Sequence, residues 1–220
     1  MIEIIDGIID QQKYSASKYK IMWILKEGNV SEEDKANNVA INLCTGFSSD
    51  HHRKNALSVP TFRKMIYATY GILNPETEWS DVPYANEGAY EAMLQAAYIN
   101  INKYPAGSVS DFNAIKLAYT ENKKVLIEQI KECNPNIIIF GGTWNYFESE
   151  DLESIDWNVS SCETKYVDEA HKGTTTTYFT VSPTKLCINA YHPAYPRIAD
   201  KAYWSEIKTA VKKWEQETNN

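Results

Sequence analysis

The chain has 220 residues, a formal net charge of −7 and 43% hydrophobic residues. The apolar fraction is ordinary for a globular protein. The negative charge argues against binding of nucleic acid through a broad basic surface, because such binding needs clustered lysine and arginine. It does not exclude a local basic groove. No apolar run is long enough to cross a bilayer, and the N-terminus lacks the regions of a signal peptide, so we expect no membrane partner.

The spacing of the cysteines indicates the redox compartment of the protein. The four of them, Cys44, Cys133, Cys162 and Cys187, are scattered and never spaced as CxxC. This spacing predicts neither a metal site nor a disulfide framework, so we expect a reducing cytoplasm and no cofactor. No linker rich in Pro, Gly or Ser divides the chain, and we therefore expect one domain over residues 1–220.

The first half of the chain contains one clear strand. Isoleucines within residues 1–19 recur at helical spacing, which predicts an amphipathic helix. The apolar run at 21–25 ends in a charged turn at 26–29, a pattern typical of a strand buried on both faces in a parallel sheet. A long polar and aromatic region, 31–83, follows, with a helix predicted at 61–70. Its cationic cluster at 51–54 is interpreted either as a metal or phosphate contact or as a solvated loop.

The second half alternates helices and strands. Amphipathic patterns predict helices, and short apolar runs predict strands. The predicted helices are 86–96, 116–133 and 203–216, and the predicted strands are 97–103, 136–140 and 185–190, with a hairpin arm at 176–181. Four buried strands alternating with helices predict a parallel α/β sheet with helices on both faces.

Polar side chains follow three of the predicted strands. Ligands of open α/β sheets bind beyond the carboxyl ends of the strands, where Glu27 would stand and Gly28 would let the backbone approach a ligand. Asn100 and Asn102 share a face if the second strand is regular, and His192 follows the fourth strand. A carboxylate can orient a water, a carboxamide can read the edge of a base, and a histidine can hydrogen-bond an oxygen that gains negative charge. The alternative roles are a solvated turn for Glu27, backbone pairing for the two amides and turn packing for His192.

Four motifs, in this order, resemble the uracil-DNA glycosylase superfamily, including its bacterial glycosylase-like branch. ILKEGN resembles an apolar strand with an acidic glycine turn, and YININKYP resembles a strand with a base-reading asparagine. NPNIIIFGG is similar to the third strand, and NAYHPA is similar to the histidine–proline motif. The likeness covers about residues 20–200, with an unmatched insertion near 31–83.

The resemblance implies a fold and a reaction. The fold is a three-layer α/β/α sandwich with a four-stranded parallel sheet. The site is a pocket for a base flipped out of the DNA stack, and the reaction is hydrolysis of the N-glycosidic bond of uracil or a related damaged base in DNA repair. The implied partner is DNA or another ligand that contains a nucleobase. The alternatives are a module of the same fold that binds a nucleobase, nucleotide or nucleic acid without catalysis, and an α/β domain that acts only through protein contacts.

The resemblance also implies roles for residues. Glu27 is expected to orient the water, and His192 to stabilise the oxygen of the leaving base. The expected substrate-binding residues are Gly28, Asn29, Asn100, Asn102, Lys103 and Arg197, the last of which, like Lys103, is either a phosphate contact or an ordinary surface charge. The chain departs from the family where Asn29 replaces a proline and Ala194 replaces a serine, and it lacks the iron–sulfur cysteines of some branches.

Overall fold

The computed structural model describes residues 4–28, 41–104, 110–171, 173 and 175–219. The strands in this part of the chain are β1 Ile4–Ile5, β2 Gly7–Ile8, β3 Ile21–Leu25, β4 Ile41–Asn42, β5 Ala96–Asn100, β6 Ile137–Gly141, β7 Lys165–Tyr166, β8 Thr177–Ser182 and β9 Lys185–Ala190. The α-helices are α1 Gln11–Ala16, α2 Leu43–Ser48, α3 Asp50–Asn55, α4 Pro60–Leu73, α5 Tyr90–Met93, α6 Phe112–Cys133, α7 Ser149–Glu153 and α8 Asp200–Thr218.

The main sheet is mixed and has seven strands in the order β2-β5-β3-β6-β9-β8-β7. The pairings of β3 with β5, β3 with β6 and β6 with β9 are parallel, whereas β2, β8 and β7 join by antiparallel pairing. The sequence predicted a sheet of four parallel strands. The sheet instead has seven strands, because three further strands join by antiparallel pairing. Ser182 pairs with Lys185 across a two-residue turn, and so short a connection can join only antiparallel strands.

Strand β3 is buried on both faces of the sheet. Trp23 belongs to an apolar cluster with α4 and α8, and its indole donates to Thr69 Oγ1 at 3.0 Å. Ile24 belongs to a second cluster, with α6. Helices therefore cover both faces, which explains why β3 is a continuous apolar run rather than an alternating one.

The prediction of a helix over residues 1–19 was wrong for most of its length. Residues 4–8 form β1 and β2, and only α1 is helical, capped by Asp10, whose side chain accepts from Lys13 N at 3.0 Å. Gly7 has φ 141°, a conformation that favours glycine, and it pairs with Tyr98 of β5. Pairing with distant strands therefore overrides the helical spacing of the isoleucines.

The longer predicted helices are confirmed in α4, α6 and α8, with ends that differ by a few residues. Helix α6 begins earlier than predicted because Asp111 caps it, accepting from Ala114 N at 2.8 Å. The helix predicted at 86–96 shrinks to α5. None of the described helices is both long and apolar enough to cross a bilayer.

The cationic cluster at 51–54 lies in helix α3 rather than in a loop. The ring of His52 packs 4.9 Å from Phe47 and 4.6 Å from Phe62, between centroids. His52 is therefore a packing residue of the apolar layer beside α4. Residues 31–40 of the unmatched insertion lie outside the described part of the chain.

Candidate functional site

The four parallel strands end at one edge of the sheet. Leu25 pairs with Asn100, Ile24 pairs with Phe140, and Gly141 pairs with Ala190, so the four strands end level with one another. Thr143 Oγ1 donates to Ile24 O at 2.8 Å and closes the turn after β6 onto β3. Residues that follow these strands therefore share the carboxyl edge, where ligands of open α/β sheets bind.

Glu27 and Asn102 meet at this edge. Asn102 Nδ2 donates to Glu27 Oε2 at 3.3 Å, and Asn102 N donates to Lys26 O at 2.8 Å. Glu27 is half-buried. Asn102 thus orients the carboxylate, while Asn100, expected on the same face, has different partners. That the edge forms one cleft joining Glu27, Asn100 and His192 stays a prediction.

The turn after β6 supplies an aromatic neighbour of Glu27 that the sequence analysis missed. Burial raises the pKa of Tyr146, and the negative charges of Asp111 and Glu27 raise it further. The ring of Tyr146 lies 5.0 Å from that of Phe112, which is 53% exposed. An available signal was the aromatic segment Trp144–Tyr146, which follows the glycine turn of a core strand.

Asn100 is fully buried and only partly hydrogen-bonded. Its Oδ1 accepts from the Tyr98 hydroxyl at 3.2 Å, and its backbone N donates to Asp6 Oδ2 at 2.7 Å. Its Nδ2 has no hydrogen-bond partner among the described residues. A buried donor left unsatisfied costs about 1–3 kcal/mol. The carboxamide of Asn100 is therefore a buried polar group whose Nδ2 donor is unsatisfied among the described residues.

His192 is held as a neutral hydrogen-bond donor. Its Nδ1 accepts from Ala194 N at 3.1 Å, so in the neutral ring the proton is assigned to Nε2. Burial, together with the smaller effects of the charges of Lys26 and Lys64, lowers the pKa of His192 to about 4. Gly142 has φ 70°, and a Cβ there would lie 3.1 Å from His192 Cβ, so the turn after β6 is packed against the histidine.

We expect acid to destabilise the protein through His192 and His52. Burial lowers the pKa of both to about 4, whereas unfolded histidines titrate near 6.5. The unfolded state therefore binds more protons between these pH values, and the free energy of unfolding falls as pH decreases from 6.5 to 4, by up to about 3 kcal/mol for each histidine. Urea denaturation at several pH values measures this loss.

The matched variants are His52→Leu and Lys54→Gln. Removing half-buried His52 should flatten the pH dependence, because one of the two histidines that take up a proton on unfolding is gone. Lys54 is exposed on the same helix, so its replacement should leave the curve unchanged. A pH dependence that survives His52→Leu in full would contradict the assignment.

Lys103 lies in the interior rather than on a phosphate-binding surface. Its Nζ is 2.8 Å from Asp6 Oδ1 and 2.7 Å from Gln129 Oε1, and the Lys103 and Asp6 side chains are 7% and 1% exposed. Asp6 also accepts from the backbone N of Asn100. The ion pair therefore ties the end of β5 to α6 and to the N-terminal strands.

The other predicted binding residues have varied positions. Gly28 is buried, and a Cβ there would lie 2.7 Å from Ile4 Cδ1, so packing against Ile4 accounts for the glycine. Arg197 is exposed beyond the His192 turn. Asn29 lies outside the described residues.

Across the described ranges, no group of three or more His, Cys, Asp or Glu side chains is placed to hold a metal ion. The four cysteines are free, and Cys133 and Cys187 are buried. The described side chains at the carboxyl edge include the carboxylate of Glu27, the carboxamides of Asn100 and Asn102, and the imidazole of His192.

No protein-family model matches the chain, and no curated protein matches it. The resemblance to uracil-DNA glycosylases therefore rests on the four sequence motifs. What the chain does has to be argued from the residues at the sheet edge.

Proposed function

We propose that this protein is a glycosylase-like hydrolase that cleaves the N-glycosidic bond of uracil or a related damaged base in DNA, on a three-layer α/β/α fold of the uracil-DNA glycosylase kind. The observation that carries the proposal is the buried carboxamide of Asn100, whose Nδ2 lacks a partner among the described residues. A carbonyl oxygen on a base edge would satisfy that donor. Its place at the end of β5 agrees with the usual ligand position in open α/β sheets.

Glu27 and His192 have complementary roles in the proposed reaction. Water attacks C1′ of the sugar, the bond from C1′ to the base nitrogen breaks, and its electron pair leaves with the base. The proton that the attacking water loses goes to solvent, and the released base anion takes one up. The carboxylate of Glu27, oriented by Asn102, positions the water and stabilises the positive charge on the sugar. Neutral His192 donates from Nε2 to the base oxygen that gains negative charge.

The test is a panel of oligonucleotides, each carrying one damaged base, in single- and double-stranded form. We expect abasic sites to form with at least one of them, detected as strand breaks after alkaline treatment. A wild-type protein that forms abasic sites with none of these substrates would show that the hydrolase proposal is wrong.

The second candidate is a binding module of the same fold. The net charge of −7 favours it, because a protein that grips DNA through phosphates usually presents clustered basic residues. Such a module would bind free nucleobases or nucleotides through Asn100 and release no base from DNA. Calorimetric titration with free bases and nucleotides, run beside the oligonucleotide panel, separates the two candidates.

Replacing Asn100 by Asp is expected to weaken discrimination among bases. The change removes the Nδ2 donor and leaves only acceptors at that position when the carboxyl group is ionised. Relative rates of base release across the panel measure the effect. Asn136→Asp makes the same change at the opposite edge of the sheet, where Asn136 Oδ1 accepts from Lys20 N at 3.0 Å, and should leave the ranking unchanged. An unchanged ranking in a folded Asn100→Asp variant would remove Asn100 from the base-reading role.

A further inference from the structure

A buried lysine on α4 contacts the turn that carries His192. Lys64 is 4% exposed, and its Nζ donates to Tyr195 O at 2.8 Å and lies 5.7 Å from the centroid of the Tyr203 ring. Lysines are almost never fully buried unless they are paired. Lys64 lies within residues 31–83, the region without a counterpart in the four motifs, so the resemblance assigns it no role.

Within the described ranges, the direct contacts of the Lys64 ammonium group include no carboxylate. The charged groups that face it are Arg63 on the same helix and Asp200 at the start of α8. Asp200 Oδ2 already accepts from Arg63 Nε at 2.7 Å. The contacts of Lys64 are thus a backbone carbonyl and a ring face. Burying an ammonium group costs several kcal/mol unless it is well paired, so stability does not explain this lysine.

The turn that Lys64 contacts fixes the orientation of His192. Tyr195 N donates to His192 O at 2.8 Å, and Ala194 N donates to His192 Nδ1 at 3.1 Å. The Tyr203 hydroxyl donates to Tyr191 O at 2.9 Å on the other side of the histidine. Because Lys64 binds the carbonyl of Tyr195, it fastens the far end of this turn to α4.

Lys64 also acts on His192 through its charge. The cations that face His192 are Lys26, just beyond the end of β3, and Lys64 on α4, and both oppose protonation of the ring. A neutral ring that accepts at Nδ1 keeps a donor at Nε2. The hydrogen bond to the turn and the electrostatic field thus favour the same state of the imidazole.

We propose that Lys64 is a positioning residue for His192: its ammonium group holds the turn formed by residues 192–195, which keeps Nδ1 of the imidazole on Ala194 N and leaves Nε2 as a donor toward an anionic oxygen. The role of His192 Nε2 as a donor to the leaving base rests on the proposed function. The effect of Lys64 on the imidazole does not depend on turnover and can be measured without substrate.

The test compares Lys64→Met and Lys64→Arg with a matched control, Lys208→Met. Lys208 has the same kinds of contact away from the turn, since its Nζ donates to Thr77 O at 2.6 Å and lies 4.6 Å from the Trp204 ring centroid. NMR titration of the His192 ring, assigned by the signal lost in His192→Asn, is the primary measurement. Lys64→Met should raise the pKa of His192 by a small step above about 4, because one repelling cation is removed while burial, the main cause, and Lys26 remain. Lys64→Arg and Lys208→Met should leave the pKa of His192 unchanged.

Thermal unfolding distinguishes positioning from simple support of the fold. Replacing a poorly paired buried charge by an apolar side chain is often neutral or stabilising, so Lys64→Met should keep or raise Tm. If Lys64→Met does not fold, Lys64→Gln keeps a donor without the charge and should show the same rise in the pKa of His192. An unchanged pKa in both uncharged variants, or an equal rise in Lys208→Met, would overturn the proposal.

Base release separates this proposal from the proposed function. In an active enzyme, Lys64→Met should shift the acidic limb of the pH–rate profile to higher pH and lower kcat more than it changes KM. If the pKa of His192 rises in Lys64→Met but wild type releases no base, the positioning role stands and the glycosylase proposal fails. If wild type releases base and the pKa of His192 does not rise in Lys64→Met, the glycosylase proposal stands and the positioning role of Lys64 fails.

Discussion

Replacing Glu27 by Gln, or His192 by Ala, is expected to slow base release by about 10²–10³-fold, the usual loss when one preorganised contact to developing charge is removed. In the proposed reaction, Glu27→Gln removes the negative charge that would stabilise the cationic sugar, and His192→Ala removes the donor that would bind the leaving base. Both contacts strengthen only as charge develops, so binding of damaged DNA should change little. Single-turnover rates and fluorescence anisotropy measure the two quantities separately.

The control for Glu27→Gln is Glu121→Gln, since Glu121 is exposed on α6. It should retain the full rate. If Glu27→Gln also retains the full rate in an active enzyme, the pocket assignment can hold but Glu27 is not the residue that orients water. Anisotropy that falls in parallel with the rate would instead give Glu27 a role in ground-state binding.

Replacing Asp6 by Ala is expected to destabilise the fold by about 3–5 kcal/mol, the usual cost of leaving a buried charge without its partner. Asp6 accepts from Lys103 Nζ at 2.8 Å, from Gln129 Nε2 at 2.9 Å and from Asn100 N at 2.7 Å. The variant thus leaves a buried ammonium and a buried backbone N–H without this acceptor. The free energy of unfolding from urea titration measures the loss.

The exposed pair of Lys13 and Glu91 provides the control for Asp6→Ala. Its atoms are also 2.8 Å apart, but the two side chains are 42% and 50% exposed. Lys13→Ala should cost only about 0–1 kcal/mol, because water already solvates both charges. In Asp6→Ala, changing Lys103 to Met as well should recover part of the loss, since the buried ammonium group of this pair is then removed too. Equal costs at the two sites would contradict the interior role of the pair of Asp6 and Lys103.

The core strands could be predicted because a strand buried on both faces has apolar residues at successive positions, without alternation. Strands β3 and β6 are runs of apolar residues with no polar break, since one face packs on α4 and α8 and the other on α6. Strands β1 and β2 have no such apolar run in the sequence. Each has two residues, and its conformation depends on pairing with β4 or β5, which lie far away in the chain.

The sequence by itself located the polar residues that follow the core strands, and with them the edge of the sheet where a site can form. Only the tertiary structure decided which of these residues meet. It joins Glu27 to Asn102 rather than to Asn100, buries Lys103 against Asp6, and brings Lys64 from a distant helix to the His192 turn. The physical reason is that strand periodicity stops at the turn, so the direction of each later side chain depends on neighbours from other elements. The neutral state of His192 likewise depends on its burial and on the charges packed around it, and spacing along the chain encodes neither.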